Sequence, residues 1–553
     1  MSARPLPFLA LAFCLVALDP RSLDAAELAA VAPVMSCDDL RSFDPAVREF
    51  PTQIGETRVE SVNGVPVCRV SGTISPQIRF EVRLPQQGWT QRYLQIGCGG
   101  LCGSIGMRAP QRACPALERG EFVTAASDMG HSSRGGSWGA VDQQLRVDFG
   151  YRGVHATAVV TKALIARFYG RAARYSYFSG CSDGGREGLM EAQRYPGDFD
   201  GIAAGAPAMN FLVQNSFHHG WQARQVAPDG RNALLTAADM PVLHAAAVAA
   251  CDANDGVRDG LIADPLGCHF DPRTIECRPG QSTGCLSRAA ATVAAAIYGG
   301  ARDAQGRKLV VGGLMPGSEL AWPGVALPRA PGEPPGSASF AIDTIQWLAF
   351  PEPLAPDWKL ADFHFDAATM QALHAMHGIY DSTDPDLSGF AARGGKLLMW
   401  HGLQDQHISP ANTIAYAEAV ADQMGVARAA AVLRTFLVPG MYHCGSGDGL
   451  TSIDVLAPLM AWVENGQAPD QIVASRSDAD AAAGKGRPIY TWPALAKLAA
   501  GADPESPSSW TRGAAGTVPT RLYADWLGAD FYKPGYRREC GFKGEAYVCR
   551  SAQ

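Results

Sequence analysis

Beyond its first twenty residues the sequence has no apolar run approaching the ~20 residues that cross a bilayer, so no membrane span is expected. It has no CxxC pair; the closest cysteines are Cys98 and Cys102, and that spacing argues against a structural zinc site. It has no long run of charge of either sign. Lys+Arg 47 against Asp+Glu 54 leaves a net charge of −7, which suits no polyanion, and nucleic acid is not an expected partner. Lysine is scarce, and the resulting arginine bias reads as codon usage. Internal repeats and low-complexity tracts are absent. The 18% of charged residues stands beside 47% hydrophobic ones, a balance that excludes a largely disordered chain.

What is present begins with Leu6–Leu18, a short apolar run after Arg4 and before the small residues Ala25 and Ala26. That arrangement predicts a cleavable export signal over 1–26, with an uncleaved anchor as the competing reading. Fourteen cysteines, one of them Cys14 inside the signal, suit an oxidising compartment that pairs most of the rest. A secreted or periplasmic protein is expected, as a monomer or weak homo-oligomer.

Short alternating apolar runs from Thr57 to Leu84 predict antiparallel strands. Tyr93–Gly97 predicts another strand, which feeds the glycine-rich turn Gly97–Gly103. A helical stripe (Ala156, Val160, Ala163, Leu164, Phe168) spans His155–Tyr169. Tyr175–Ser179 is β-prone and Arg186–Tyr195 helical. This succession predicts an α/β fold with a mostly parallel sheet. Residues 209–385 are rich in Pro and Gly, carry four clustered cysteines and show few strand signals. They read as an inserted domain that divides a core of 27–208 and 386–553. Strands resume at Lys396–Trp400 and Thr435–Val438, and a helix is expected at Ile453–Glu464.

Gly180-Cys181-Ser182-Asp183-Gly184 matches the G-x-S-x-G nucleophile elbow, with the required strand before it and helix after it. A second match, Gly135–Gly139 around Ser137, lacks both flanking elements and reads as a loop. A serine needs a base to take its proton and an acid to orient that base. In the order Ser, acid, His, the loop after Lys396–Trp400 offers Asp405, and the loop after Thr435–Val438 offers His443. His401 and His407 compete for the role of base but break that order. Cys181 immediately precedes the candidate nucleophile and Cys444 follows the candidate base. A bridge between them would tether the two loops.

These residues resemble the tannase and feruloyl esterase family, secreted α/β-hydrolases that include mono(hydroxyethyl) terephthalate hydrolases. The resemblance runs from Cys37 to about Cys549. It is carried by Cys181-Ser182, Asp405 and His443-Cys444, and by the stretches Asp128–His131, Tyr151–His155 and Gly180–Asn210. It implies an α/β-hydrolase fold whose large inserted lid domain is 209–385, and a serine carboxylesterase acting on aromatic acyl esters, of the feruloyl esterase or tannase type. It also implies an oxyanion hole from the N–H groups of Asp183 and Gly100, with Gly99 as the other candidate. Phe340, Trp347 and Phe350 are candidates for the wall against the acyl ring, or for lid core. The stretch 340–357 has no Lys or Arg, and Arg329 sits in a Pro/Gly loop, which favours phenolic acyl esters over terephthalate monoesters. A binding protein on a hydrolase scaffold, a peptidase and an acyltransferase stay open.

Asp252, Asp255 and Asp259 fall within eight residues, which by itself describes either a hard-cation loop or a solvated Asp/Gly turn. The resemblance implies a structural calcium held there, with the carbonyls of Val257 and Leu261 as further ligands. It also implies bridges Cys251–Cys268 and Cys277–Cys285. Cys37–Cys68, Cys102–Cys114 and Cys540–Cys549 are the remaining expected pairs, which leaves Cys98 free; the choice between Cys98 and Cys102 as the partner of Cys114 stays open.

Overall fold

The structure is a computed structural model that describes residues 25–45, 49–109 and 114–534, and the backbone of 538–543 and 546–551. The expected signal lies almost wholly outside the described residues. Nine strands form the main sheet: β1 (Thr52–Val62), β2 (Val65–Ile74), β3 (Ile78–Pro85), β4 (Arg92–Ile96), β5 (Phe122–Ser127), β6 (Tyr175–Cys181), β7 (Gly201–Gly205), β8 (Lys396–Gly402) and β9 (Leu433–Val438). Their order is β1-β2-β3-β5-β4-β6-β7-β8-β9. β1, β2, β3 and β5 pair antiparallel, and everything from β5 through β4 to β9 is parallel.

Burial explains the division. β4 and β7 are buried at every residue, and β6 and β8 at all but the first. Helices Gly153–Tyr169 and Asp183–Arg194 pack against this sheet, so its strands read as unbroken apolar runs. β1 shows solvent along most of its length, as an edge strand does.

Between β7 and β8 the chain runs through a long segment, hereafter the insertion. It has its own apolar core, in which Trp322, Leu243, Leu286 and Ile297 are buried together. Arg146, fully buried in the helix Gln143–Val147, fastens it to the sheet domain. Its guanidinium donates to the carbonyls of Gly139, Phe350 and Trp347, each at 2.7 Å. Each guanidinium nitrogen donates to at least one carbonyl, which compensates the buried charge without a carboxylate.

After residue 504 the sequence shows no periodicity, yet Trp510–Ala515 pairs with Ala494–Leu498, and 538–543 pairs with 546–551. The last hairpin places Cys540 opposite Cys549; their side chains lie outside the described residues. Among the described residues no helix is long and apolar enough to cross a membrane.

Candidate active site

Parallel strands present their carboxyl ends along one edge of a sheet, and ligands of α/β proteins bind there. β4, β6, β8 and β9 each deliver one part of the site from that edge. β6 ends at Cys181, and the helix Asp183–Arg194 starts two residues later. The turn between them puts Ser182 at φ 65° and ψ −120°, a conformation that a residue with a Cβ adopts only under strain. Glycine is required beside it: a Cβ on Gly180 would lie 2.4 Å from the Gly184 carbonyl oxygen. Ser137, the other motif match, sits in the short turn Ser137–Ala140 and does not line the Ser182 cavity.

The loop Gly97–Gly103 follows β4 and crosses the start of the same helix. Gly184 donates its N–H to the Cys98 carbonyl at 2.8 Å, and Cys98 donates to Glu187 Oε2 at 3.2 Å. Among the described residues, the N–H groups of Asp183 and Gly100 donate to no other backbone group. Both residues line the cavity beside Ser182. The Asp183 carboxylate turns away from that cavity and takes a two-pronged ion pair from Arg186 at 2.6 and 3.0 Å. Arg186 is itself fully buried, donating also to the carbonyls of Gly150 and Phe149.

One expected bridge is corrected here. Cys102 pairs with Cys98, not with Cys114, and Cys98 is not the free thiol. The loop doubles back at Gly99–Gly100 and brings the Cα atoms of Cys98 and Cys102 to 5.4 Å. Cys114 is buried in a different apolar cluster, 4.0 Å from the Met460 sulfur, and burial pushes its thiol up to about 12. The pairs Cys37–Cys68, Cys251–Cys268 and Cys277–Cys285 are present.

His443 follows β9 and Asp405 follows β8. His443 Nδ1 lies 2.7 Å from Asp405 Oδ2, and the other carboxylate oxygen accepts the N–H groups of His407 (2.7 Å) and Ile408 (2.9 Å). Burial opposes ionisation of Asp405, but His443, His401 and these hydrogen bonds hold it well below the usual carboxylate range. The Gln406 side chain accepts the His443 N–H at 3.0 Å, which sets the loop. His401 is completely buried with both ring nitrogens engaged: Nδ1 with Thr413, Nε2 with Asp405 and the Ile408 carbonyl. It does not line the cavity. His407 does, but burial lowers it to about 3, which leaves it a poor proton acceptor at neutral pH. Cys181 and Cys444 are bridged, with Cα atoms 5.9 Å apart across 263 positions of sequence.

These pieces enclose a cavity of about 420 Å³. Ser182, His443 and the Gly97–Leu101 loop form its floor. Phe211, Gln214, Asn215, His219 and Phe340 come from the insertion. Trp347 and Phe350 do not reach it; they pack on the apolar core. His219 stacks on Phe340 and is kept neutral by burial. Sequence reasoning did not single out the Arg186 clamp, His219 or Arg108, the last two of which line the cavity. Only Arg186 left a signal, its position three residues after Asp183.

In the acidic loop of the insertion, Asp252 Oδ1 accepts the N–H groups of Asp259 and Gly260, and Asp255 and Asp259 accept those of Val257 and Leu261. Arg487 pairs with Asp255 at 2.9 Å and with Asp259 at 3.4 Å. Three carboxylates against two guanidiniums, those of Arg487 and the exposed Arg258, leave the loop with one net negative charge. The Val257 and Leu261 carbonyls accept no hydrogen bond from a described residue. Hard oxygens and a net negative charge suit a calcium ion in their chemistry, although the three carboxylates do not gather within 4.8 Å of one another in this structure.

Comparison with known proteins agrees with this architecture. Residues 61–512 match the family model for tannase and feruloyl esterase. An uncharacterized esterase of Xanthomonas campestris is 35% identical over 77% of this chain and 81% of its own length. The mono(2-hydroxyethyl) terephthalate hydrolase of Piscinibacter sakaiensis is 32% identical over 79% and 83%. Among solved structures, feruloyl esterase B from Aspergillus oryzae superposes with a TM-score of 0.74 at 26% identity, covering 83% of this chain and 96% of that one. The chain belongs to the tannase and feruloyl esterase family, and it is a carboxylic ester hydrolase with the α/β-hydrolase fold.

Proposed function

We propose that this esterase is exported and hydrolyses aromatic acyl esters through a serine acyl-enzyme. The observation that carries the reading is His443 held at 2.7 Å by a deeply ionised Asp405 in the same cavity wall as strained Ser182. His443 takes the Ser182 proton as Oγ attacks the ester carbonyl. The oxyanion forms against the N–H groups of Asp183 and Gly100, which have no other work in the fold. Asp405 stabilises the imidazolium. His443 then gives its proton to the leaving alcohol, and water repeats the sequence on the acyl-enzyme. The rings of Phe211 and Phe340 offer the flat apolar wall an aromatic acyl group needs. Among the described residues that wall carries no cation, and Arg329 packs over Gly324 instead, so phenolic acids suit it better than a terephthalate monoester.

A fluorophosphonate probe should label Ser182, and methyl ferulate and methyl gallate should be turned over faster than a terephthalate monoester. Labelling of another residue, or a preference for the terephthalate ester, would refute the respective part. Five bridges among the described residues support an oxidising, extracytoplasmic setting.

We also propose a structural calcium on Asp252, Asp255 and Asp259 with the Val257 and Leu261 carbonyls. It would neutralise the acidic loop and brace the insertion, away from the Ser182 cavity. A ligand present at ~100 times its dissociation constant adds ~2.7 kcal/mol to the native state. EDTA should therefore lower Tm by several degrees and leave kcat at moderate temperature nearly unchanged. Superimposable melting curves with and without chelator would remove the ion.

A further inference from the structure

A second, larger groove of about 950 Å³ adjoins the Ser182 cavity. His443, Cys444 and Arg108 line both, and so stand at the junction. The insertion residues Phe211, His219 and Phe340 line the cavity but not the groove. The acyl ring and the alcohol must leave the reacting carbon in different directions, and His443 must reach the alcohol oxygen to protonate it. With the acyl group against the insertion, the alcohol points past His443 into the groove.

Arg108 is the charge waiting there. It is exposed, and among the described residues no carboxylate pairs with it. The other charged groups of the cavity are committed: Asp183 is clamped by Arg186, and burial keeps His407 and His219 neutral. Its described neighbours in the chain, Met107 and Ala109, carry no charge. In the groove Arg83 is already paired with Glu81. Glu118 and Asp478 also line it and disfavour an anion held away from Arg108.

We infer that the groove is the leaving-alcohol subsite and that Arg108 recognises a carboxylate on that alcohol, so that the preferred esters join an aromatic acid to a short hydroxycarboxylic acid. This rests on the serine-esterase reading above. A guanidinium meets a carboxylate with two parallel hydrogen bonds, but at an exposed position the gain is modest and falls with salt.

The test compares two substrates with one acyl group: the feruloyl ester of 3-hydroxypropanoate and the same ester with its carboxylate capped as a methyl ester. Wild type should prefer the anionic ester by about two- to fivefold in kcat/KM, chiefly through KM, and 0.5 M NaCl should shrink that ratio. Arg108→Gln should bring the ratio to about one, with the loss falling mainly on the anionic ester, and Arg108→Lys should retain part of the preference. An equal ratio in wild type and Arg108→Gln would overturn the assignment, as would an equal loss on both esters. A loss confined to a terephthalate monoester of a neutral alcohol would place Arg108 on the acyl side and overturn it too. Failure to hydrolyse even the capped ester would instead count against the esterase reading.

Discussion

Replacing Ser182 with alanine should lower kcat/KM on a phenolic ester by roughly 10⁴- to 10⁶-fold, leaving only what the oxyanion donors and binding supply. The fold should persist. Ser182 makes its structural contacts through its backbone: its N–H donates to the Gly205 carbonyl at 3.0 Å, and its carbonyl accepts from Arg186 and Ala208. Alanine keeps the strained φ of 65°, so Tm should barely move. Ser182→Gly separates strain from chemistry. It should be equally inactive, yet more stable than Ser182→Ala by ~1 kcal/mol, because glycine takes this conformation without the Cβ clash. Full activity in either variant would remove Ser182 as nucleophile. An alanine variant as stable as the glycine one would mean the elbow stores no strain. Thermal melts and steady-state rates on the same preparations decide both questions.

The parts of this site that the sequence displays are those fixed by local backbone rules. Gly180 and Gly184 announce the elbow because no other residue allows the helix to start so close to the strand. Asp405 and His443 could be placed because both follow short, unbroken apolar runs, and a parallel sheet puts the ends of such runs on one edge. What stayed hidden depends on three-dimensional neighbours. The pairing of Cys98, Cys102 and Cys114 was misread because spacing does not tell which way a glycine-rich loop folds. Arg146 and Arg186 look like surface residues in a sequence, yet both are buried; only the fold shows the carbonyls of Gly139, Trp347 and Phe149 waiting for them. The strand Trp510–Ala515 escaped for a related reason. Its small residues alternate on no apolar face, and its partner Ala494–Leu498 supplies the register.

Removing the Cys181–Cys444 bridge, by Cys181→Ala with Cys444→Ala, should have the second-largest effect, and it should appear in stability and rate by different routes. The bridge joins positions 263 residues apart, so in the unfolded chain it closes a very long loop. Chain-entropy arguments put its contribution at up to ~5 kcal/mol, and retained unfolded-state structure reduces that figure. The rate effect is geometric. Cys181 is the last residue of β6, directly before Ser182, and Cys444 directly follows His443. Among the described residues the hydrogen bonds of His443 go to Asp405 and Gln406, both on the β8 loop, and its ring lies 4.8 Å from that of His407 on the same loop, so the bridge is its covalent tie to the elbow. Displacement of a reacting group by ~1 Å costs on the order of 100-fold. The double variant should therefore lose about that much in kcat at temperatures where it is fully folded by circular dichroism, with KM little changed. A wild-type kcat in the folded double variant would show that the β8 loop alone positions His443, and an unchanged Tm would show that the long loop is already restricted before folding.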